Sequence, residues 1–267
     1  MNDKRKTFVE SDEVPDEGQP KLWAEILNWG GFLLSVAVVY LVLASVGFIL
    51  FFVPSESMQP GLQVGDRFVV SKWAYGWSRQ SLPFGIGRIL PKTGGRIFFQ
   101  SPKRGDVVVF ANPKDGVVMV KRVVGLPGDT IETRGGRLYL NGEQVNRTFL
   151  GLVRYRDRFG HIQTAQNYSE RIDDTRSRSH RIYEFSDDTT FGNWSPDLSG
   201  PFVVKPDHIF VMGDNRDNSN DSRSPIGPGQ VPMENLIGKA EMVLFTFARC
   251  NRESGLECPP SRLWKLM

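Results

Sequence analysis

Cysteine, histidine and excess charge are all scarce in this chain of 267 residues. Its two cysteines, Cys250 and Cys258, are too few for a Cys-rich zinc scaffold or a disulfide-dense mini-protein. The three histidines, His161, His180 and His208, lie far apart and follow no HxxxH or HExxH spacing, so we expect no metal site. The net charge of +3 is slight for this length, which argues against nucleic acid as a partner.

Long apolar runs are also absent, except for one near the N-terminus. No charged residue occurs from Ile26 to Ser55, and Phe32 to Val53 is almost wholly apolar. Because a helix rises about 1.5 Å per residue, those 22 residues reach across the roughly 30 Å hydrocarbon core of a bilayer. A cleavable signal peptide would have a shorter apolar region. We therefore predict one transmembrane helix, residues 29–53, that anchors the protein in a lipid bilayer.

The predicted anchor follows a polar tail, residues 1–28. Lys4, Arg5 and Lys6 in this tail favour a cytoplasmic N-terminus, since basic residues flanking a span tend to stay on that side. The long domain after a single span is then expected on the opposite, outer face of the membrane.

Short β patterns separated by turn residues dominate the rest of the chain. Asn141-Gly142 stands between two of them, which is a strong hairpin signal. The fold class is therefore mainly β, with an antiparallel domain made of residues 54–149 and 201–249. Residues 150–200 are polar and form either a β-rich insert or a disordered loop, and residues 250–267 form a C-terminal tail. The predicted strands are Asp66–Ser71, Asp106–Phe110, Val117–Val124, Arg137–Leu140 and His208–Met212.

Three segments contain the side chains best suited to catalysis. Val53–Pro60, with the sequence VPSESMQP, follows the predicted anchor directly. Arg104–Asp129 contains a Lys-Arg pair in an apolar β pattern that ends in GLPGD. Met212–Arg223 has the sequence MGDNRDNSNDSR, and Gly65-Asp66 lies between the first two segments.

These motifs, in this order, resemble the signature segments of bacterial type I signal peptidases. That family has a nucleophilic serine in P-S-x-S-M after its last membrane span, a Lys-Arg before G-x-P-G-D, and G-D-N-R-D-N-S-x-D-S-R near the C-terminus. The resemblance covers most of Val53 to Ala240. It implies a serine endopeptidase of the bacterial inner membrane that needs no cofactor. Its catalytic domain would lie on the periplasmic face and cut signal-peptide-bearing preproteins after a small-x-small sequence.

The residue types present agree with a Ser-Lys dyad. A serine hydroxyl is a poor nucleophile until a base takes its proton, and no histidine lies in the three segments. Lys121 would have to be neutral near pH 7, although the pKa of a free lysine is about 10.4. The apolar residues Gly116–Val120 before it could bury the amine and lower that pKa. The strand pattern by itself favours a solvated lysine, and the resemblance favours the base.

The resemblance also assigns roles to individual side chains. It implies that Ser57 is the nucleophile and Lys121 the general base, and that the Ser55 hydroxyl and the Ser57 backbone N–H hold the oxyanion. It implies that Ser219 hydrogen-bonds the catalytic amine. The remaining supporting residues are the Asp221–Arg223 salt bridge, Arg122 and Asp214, with Arg216 also holding the loop.

Two residues depart from the family pattern. Glu56 lies between the two serines, where the family often has Gly. Its side chain must point away from the oxyanion, because a carboxylate there would oppose the developing negative charge. Gly61 stands where Thr is common.

The position of Ser57 in the chain, and the apolar residues near the dyad, predict how a substrate would bind. Ser57 is four residues past Val53, so an extended chain keeps it within about 15 Å of the membrane boundary. Val53, Met58, Leu62 and Val120 could line shallow pockets for small side chains. The alternatives are a specialised Ser-Lys peptidase that matures pilins or a conjugation component, and a non-enzymatic anchored β domain that binds exported proteins.

Cys250 and Cys258 enclose a short polar loop near the C-terminus. An oxidising periplasm would permit a disulfide between them, and two free thiols are the alternative.

Overall fold

The computed structural model describes residues 20–81, 95–157, 159–172, 179–186, 190, 195–247, 255–256 and 262–267. Helix α1 covers Pro20–Val46, and short 3-10 helices cover Trp73–Tyr75, Arg79–Ser81 and Met233–Asn235. The strands, in chain order, are β1 Phe48–Phe52, β2 Asp66–Ser71, β3 Val107–Ala111, β4 Val118–Gly125, β5 Thr130–Arg134, β6 Arg137–Leu140, β7 Glu143–Gln144, β8 Asn146–Arg156, β9 Ile162–Arg171, β10 His180–Glu184, β11 Leu198–Val203, β12 His208–Met212, β13 Val231–Pro232, β14 Leu236–Thr246 and β15 Lys265–Leu266.

The strands form three antiparallel sheets. The largest has the order β1-β2-β14-β3-β4-β12-β13, with β15 paired to β14. A second sheet has the order β10-β9-β8, and a third the order β11-β5-β6-β7. The chain divides between residues 43 and 44 into two units, and all three sheets lie in the second. The mainly β, antiparallel fold predicted from the sequence is confirmed.

The apolar N-terminal stretch forms a helix over only part of the predicted range. Helix α1 ends at Val46, and Phe48–Phe52 is a strand, so the prediction of one helix over residues 29–53 is wrong in its last part. This run of aromatic and branched residues pairs antiparallel with β2, from Phe48 opposite Ser71 to Phe52 opposite Arg67. No helix in the described part of the chain combines the length and apolar character of a membrane span.

The five predicted strands all occur as β2, β3, β4, β6 and β12. The predicted turn at Asn141-Gly142 joins β6 to β7, and both residues have positive φ, 54° and 86°, as a tight hairpin turn requires. The large sheet buries apolar side chains on its two faces in separate clusters. One of these clusters contains Val53, Met58 and Leu62 and lies beneath the segment that holds the paired serines.

Two regions outside the predicted β domain pack as ordered elements. The described part of residues 150–200 is mostly strand and not a disordered loop, because β8 and β9 pair along ten residues of each strand. A parallel bridge between Tyr183 and Asn215 joins this small sheet to the segment after β12. At the C-terminus, Lys265 and Leu266 pair with β14. Part of the region predicted as a tail is therefore held against the large sheet.

Candidate active site

The segment from Val53 to Asp66, which we call the serine segment, folds back on itself and contains both Ser55 and Ser57. The backbone N–H of Val53 donates to Asp66 O at 3.0 Å, and the N–H of Leu62 donates to Met58 O at 2.8 Å. Met58 and Leu62 are fully buried in the core, which fixes the turn from below. Ser57 is 9% exposed, so its hydroxyl lies in a largely enclosed position.

Lys121 reaches Ser57 from the large sheet. It lies on β4, opposite Val108 of β3, and its side chain is buried. Its Nζ donates a hydrogen bond of 2.5 Å to Ser57 Oγ, although the two residues are 64 positions apart in the sequence. The structure thus brings together the two residues predicted to form the dyad.

Burial changes the acid–base behaviour of Lys121. Removal of the ammonium group from water lowers the pKa of Lys121 from 10.5 to about 8, against the opposing effect of the Asp221 and Asp214 carboxylates. Near pH 8 about half of such amines are neutral. A neutral amine can accept a proton from a serine hydroxyl, so the arrangement suits general-base chemistry.

The two serines lie side by side, with 3.4 Å between Ser55 Oγ and Ser57 Oγ. The Glu56 side chain, expected to point away from the oxyanion, is directed toward the segment after β12, where its Oε2 accepts a hydrogen bond of 3.2 Å from Asn218 Nδ2. The same segment receives the Ser57 backbone, because the N–H of Asn215 donates to Ser57 O at 3.1 Å. The acidic residue between the serines therefore joins the serine segment to a neighbouring loop.

Two buried ion pairs flank the dyad, and the sequence predicted the one between Asp221 and Arg223. Arg122 binds Asp214 through two parallel hydrogen bonds of 2.7 Å, from Nε to Oδ1 and from Nη2 to Oδ2. Arg223 Nη2 lies 2.9 Å from Asp221 Oδ2, and both side chains are buried. Such two-pronged guanidinium–carboxylate contacts fix orientation as well as distance.

Sequence reasoning missed two further ion pairs around the same segment. Arg216 Nη2 donates to Glu170 Oε2 at 2.6 Å, which joins the loop after β12 to β9. Arg262 Nη2 donates to Asp66 Oδ2 at 2.6 Å, which joins the C-terminal segment to the start of β2. Neither Glu170 nor Arg262 belongs to a recognisable motif, so no local signal could have identified them.

A family model and several related proteins match most of this chain. The family model described as signal peptidase, peptidase S26, matches residues 26–245. The signal peptidase I of Pseudomonas aeruginosa is 36% identical over 235 residues, 83% of this chain and 73% of that protein. The signal peptidase I of Rickettsia typhi is 34% identical over 219 residues, 80% of this chain and 77% of that protein. A solved signal peptidase I structure from Enterococcus faecalis V583 is 24% identical, covers 52% of this chain and 97% of its own, and has a TM-score of 0.30.

The chain belongs to the signal peptidase family, peptidase S26.

One contact implied by the signal peptidase resemblance is not formed. Ser219 Oγ is buried and has no hydrogen-bond partner among the described residues, so it does not bind the amine of Lys121. The hydroxyl instead packs beside Gly213, where an added Cβ would lie 2.2 Å from Ser219 Oγ and 2.4 Å from Ser57 O. Ser219 therefore lies near the Ser57 backbone, and the prediction that it hydrogen-bonds the Lys121 amine is wrong.

The residues predicted to line substrate pockets in this signal peptidase are mostly unavailable. Val53, Met58 and Leu62 are at most 1% exposed and belong to the core beneath the serine segment. The apolar face of that segment packs against side chains of the large sheet, and so these residues support the site from below. Val120 packs against the same cluster and is only partly buried.

The described residues contain no group of three or more His, Cys, Asp or Glu side chains placed to hold a metal ion. Cys250 and Cys258, and with them the predicted disulfide, lie outside the described residues.

The lowered pKa of Lys121 predicts how activity depends on pH. Because only the neutral amine accepts a proton, kcat should rise about tenfold per pH unit below the pKa and level off above about pH 8. Initial rates of peptide cleavage from about pH 6 to about pH 10 measure this profile. A rate that is flat across the range, or that falls between about pH 7 and about pH 9, contradicts the assignment.

Gly61, where the signal peptidase family often has Thr, offers a test of the Arg122–Asp214 pair. A Cβ added at Gly61 would lie 2.2 Å from Asp214 Oδ2, the oxygen that accepts from Arg122 Nη2. Gly61→Ala should therefore displace this carboxylate and lower the free energy of unfolding by about 1–3 kcal/mol, as measured by urea denaturation. Gly31→Ala is the control, because nothing lies within 4 Å of its added Cβ. Equal stability of the two variants would show that Asp214 has room to move.

Proposed function

We propose that this protein is a signal peptidase I, a serine endopeptidase that removes N-terminal signal peptides from secretory preproteins. Family membership supports the class of enzyme. The observation that carries the proposal for this chain is the 2.5 Å contact between Lys121 Nζ and Ser57 Oγ, with both side chains buried. A buried amine with a lowered pKa beside a hydroxyl is what a serine nucleophile without histidine requires.

The first half of the reaction forms an ester. Neutral Lys121 takes the proton from Ser57 Oγ, and the oxygen attacks the scissile carbonyl carbon. The negative charge that develops on the carbonyl oxygen is stabilised by the Ser55 hydroxyl and the Ser57 backbone N–H. The C–N bond then breaks, and the new amine of the mature protein takes the proton from Lys121.

The second half of the reaction regenerates the enzyme. Lys121 removes a proton from a water molecule, and the resulting hydroxide attacks the ester carbonyl. The same two donors stabilise the second oxyanion. Cleavage of the C–O bond frees the carboxylate of the signal peptide and returns the proton to Ser57. No metal or organic cofactor takes part in this scheme.

The proposed substrate is a chain with small side chains at both positions of a small-x-small sequence. Val120 precedes the base on β4 and is partly exposed, so its side chain is a candidate for the wall of a shallow pocket. A shallow apolar wall accepts Ala-sized groups and rejects large ones, because a large side chain would have nowhere to pack.

We also propose that the protein works at the outer face of the bacterial inner membrane, with a single span and a cytoplasmic N-terminus. The apolar run that begins at Phe32 supports this, as do the exposed side chains of Phe48, Leu50 and Phe52 on β1, which are 58%, 48% and 44% exposed. Ser57 follows β1 by five residues. An apolar patch this close to the nucleophile suits a substrate that is itself held in the bilayer.

The anchor predicts resistance to extraction. The full chain, expressed in bacteria, should remain in the membrane pellet after an alkaline carbonate wash, because an apolar span cannot leave the bilayer without exposing its side chains to water. Externally added protease should digest the domain that contains Ser57 in spheroplasts and leave the N-terminal tail protected. Release of the protein by the wash would contradict the span, and protection of the domain would contradict its orientation.

The dyad is tested by cleavage of a purified preprotein in detergent micelles. Ser57→Ala and Lys121→Ala should each lower kcat by at least about 10³-fold, because each removes a step of the acylation. Ser55→Ala should lower kcat by about 10²-fold, the usual effect of losing one oxyanion donor. Circular dichroism and thermal melting of each variant serve as the folding control.

Other results of this cleavage experiment would favour a different base or a different function. Normal cleavage by Lys121→Ala would mean that another group is the base. Cleavage of pilin-type precursors alone would favour a specialised peptidase of the same superfamily. Failure of the wild type to cut any preprotein, with binding intact, would favour a non-enzymatic domain that binds exported proteins.

A further inference from the structure

The last six residues of the chain, Arg262–Met267, run along the large sheet beside the serine segment, and we call them the C-terminal clasp. Met242 and Val243 of β14 pair with Leu266 and Lys265 of the clasp. The N–H of Met267 donates to Glu241 O at 2.9 Å. The Met267 side chain packs against the core cluster that includes Met58 and Leu62.

Arg262, the first residue of the clasp, places a buried guanidinium under the serine segment. Its side chain is 4% exposed, and the Asp66 carboxylate that it binds is fully buried. Nε lies 3.0 and 2.9 Å from the two Asp66 oxygens, and Nη2 lies 2.6 Å from Oδ2. Nη2 also donates to Gly61 O at 2.7 Å.

These two partners lie in the segment that carries the nucleophile. Asp66 closes that segment, because Val53 N–H donates to its backbone oxygen and Gln63 N–H donates to its Oδ2 at 2.8 Å. Gly61 follows Ser57 by four residues, and its Cα lies against the Asp214 carboxylate of the ion pair described above. A single side chain from the C-terminus therefore fixes both the turn after Ser57 and the point where the segment returns to the sheet.

We propose that Arg262 is a positioning residue for Ser57, so that the C-terminal clasp sets the distance between the nucleophile and Lys121. This inference rests on the proposed roles of Ser57 and Lys121. Within the described part of the chain, the hydrogen bonds of the Arg262 side chain go to Asp66 and Gly61, both in the serine segment. Loss of the guanidinium leaves the buried Asp66 charge uncompensated and frees the turn that holds Ser57. A shift of about 1 Å in a reacting atom can lower a rate by about 10²-fold.

Lysine cannot replace this arginine fully. The planar guanidinium meets both carboxylate oxygens and a carbonyl at once, whereas an ammonium group is a point charge on a flexible stem. Arg262→Lys keeps the charge that neutralises Asp66 and loses the fixed geometry. It should therefore restore most of the stability and only part of the rate.

A matched control exists in the small sheet. Arg147 is also a buried guanidinium that binds one buried carboxylate, Glu184, at 2.7 Å and one glycine carbonyl, Gly136 O, at 3.0 Å. Both of these partners, and the Tyr168 ring over which the guanidinium lies, are outside the serine segment. Arg147→Ala thus reproduces the loss of a buried ion pair without releasing the turn after Ser57.

The test compares Arg262→Ala, Arg262→Lys and Arg147→Ala in the full-length protein, at a temperature where all three are folded. With a peptide substrate, we expect Arg262→Ala to lower kcat by about 10-fold to 100-fold with KM within about twofold, and Arg262→Lys to lie between it and the wild type. Arg147→Ala should lose stability and keep kcat. If Arg262→Ala does not fold, Arg262→Lys against Arg147→Ala decides the question.

A second measurement needs no substrate. The NMR signal of the Lys121 side chain, in protein labelled at lysine, should shift in Arg262→Ala and stay unchanged in Arg147→Ala, because only the first alters the contact with Ser57. An unchanged Lys121 signal in Arg262→Ala, or a kcat loss equal to that of the control, overturns the proposal. If wild type cleaves nothing while the Lys121 signal still moves in Arg262→Ala, the proposed function fails and the positioning role stands.

Discussion

The contact between the buried Lys121 amine and the Ser57 hydroxyl is the constraint on which the site depends. Burial lowers the pKa of Lys121 to about 8, and a fall of that size corresponds to roughly 3 kcal/mol of disfavoured charge at neutral pH. At pH 7 about one tenth of amines with this pKa are neutral, far more than for a solvated lysine. The Lys121 side chain stays buried because β4 lies inside the sheet, between β3 and β12.

The surrounding ion pairs follow from the need to hold a polar site inside an apolar sheet. Each one joins segments that are distant in the chain: Arg122 to Asp214, Arg216 to Glu170, and Arg262 to Asp66. Pairs this well buried contribute little net stability compared with apolar packing, but removal of one partner is costly. They therefore fix the relative positions of the segments that they join. The serine segment is fixed by the loop after β12 on one side and by the C-terminal clasp on the other.

The sequence predicted the strands well, because alternation and turn residues are local signals. It also predicted the contact between Ser57 and Lys121 and the Asp221–Arg223 pair, since these residues lie in motifs. Phe48–Phe52 was predicted as helix because an apolar run has no period that distinguishes the two structures. Its pairing with β2 depends on residues much later in the chain, from Phe52 opposite Arg67 to Phe48 opposite Ser71.

Other features could not be predicted because they depend on packing between distant parts of the chain. Met58 and Leu62 could have faced a substrate or the core, and their packing against residues of the large sheet places them in the core. Arg262 and Asp66 are 196 positions apart, and nothing in either local sequence indicates the other. Gly61 departs from the family pattern, and the Asp214 carboxylate occupies the space that a side chain at this position would need.

A direct titration of Lys121 by NMR, in full-length protein labelled with 15N at lysine side chains, tests the central claim most closely. The signal is assigned by its loss in a Lys121→Met variant. We expect its pKa to be about 8, because the amine is buried beside Ser57. A pKa above about 10, the value of a solvated lysine, would mean that the amine is charged at neutral pH and cannot be the base.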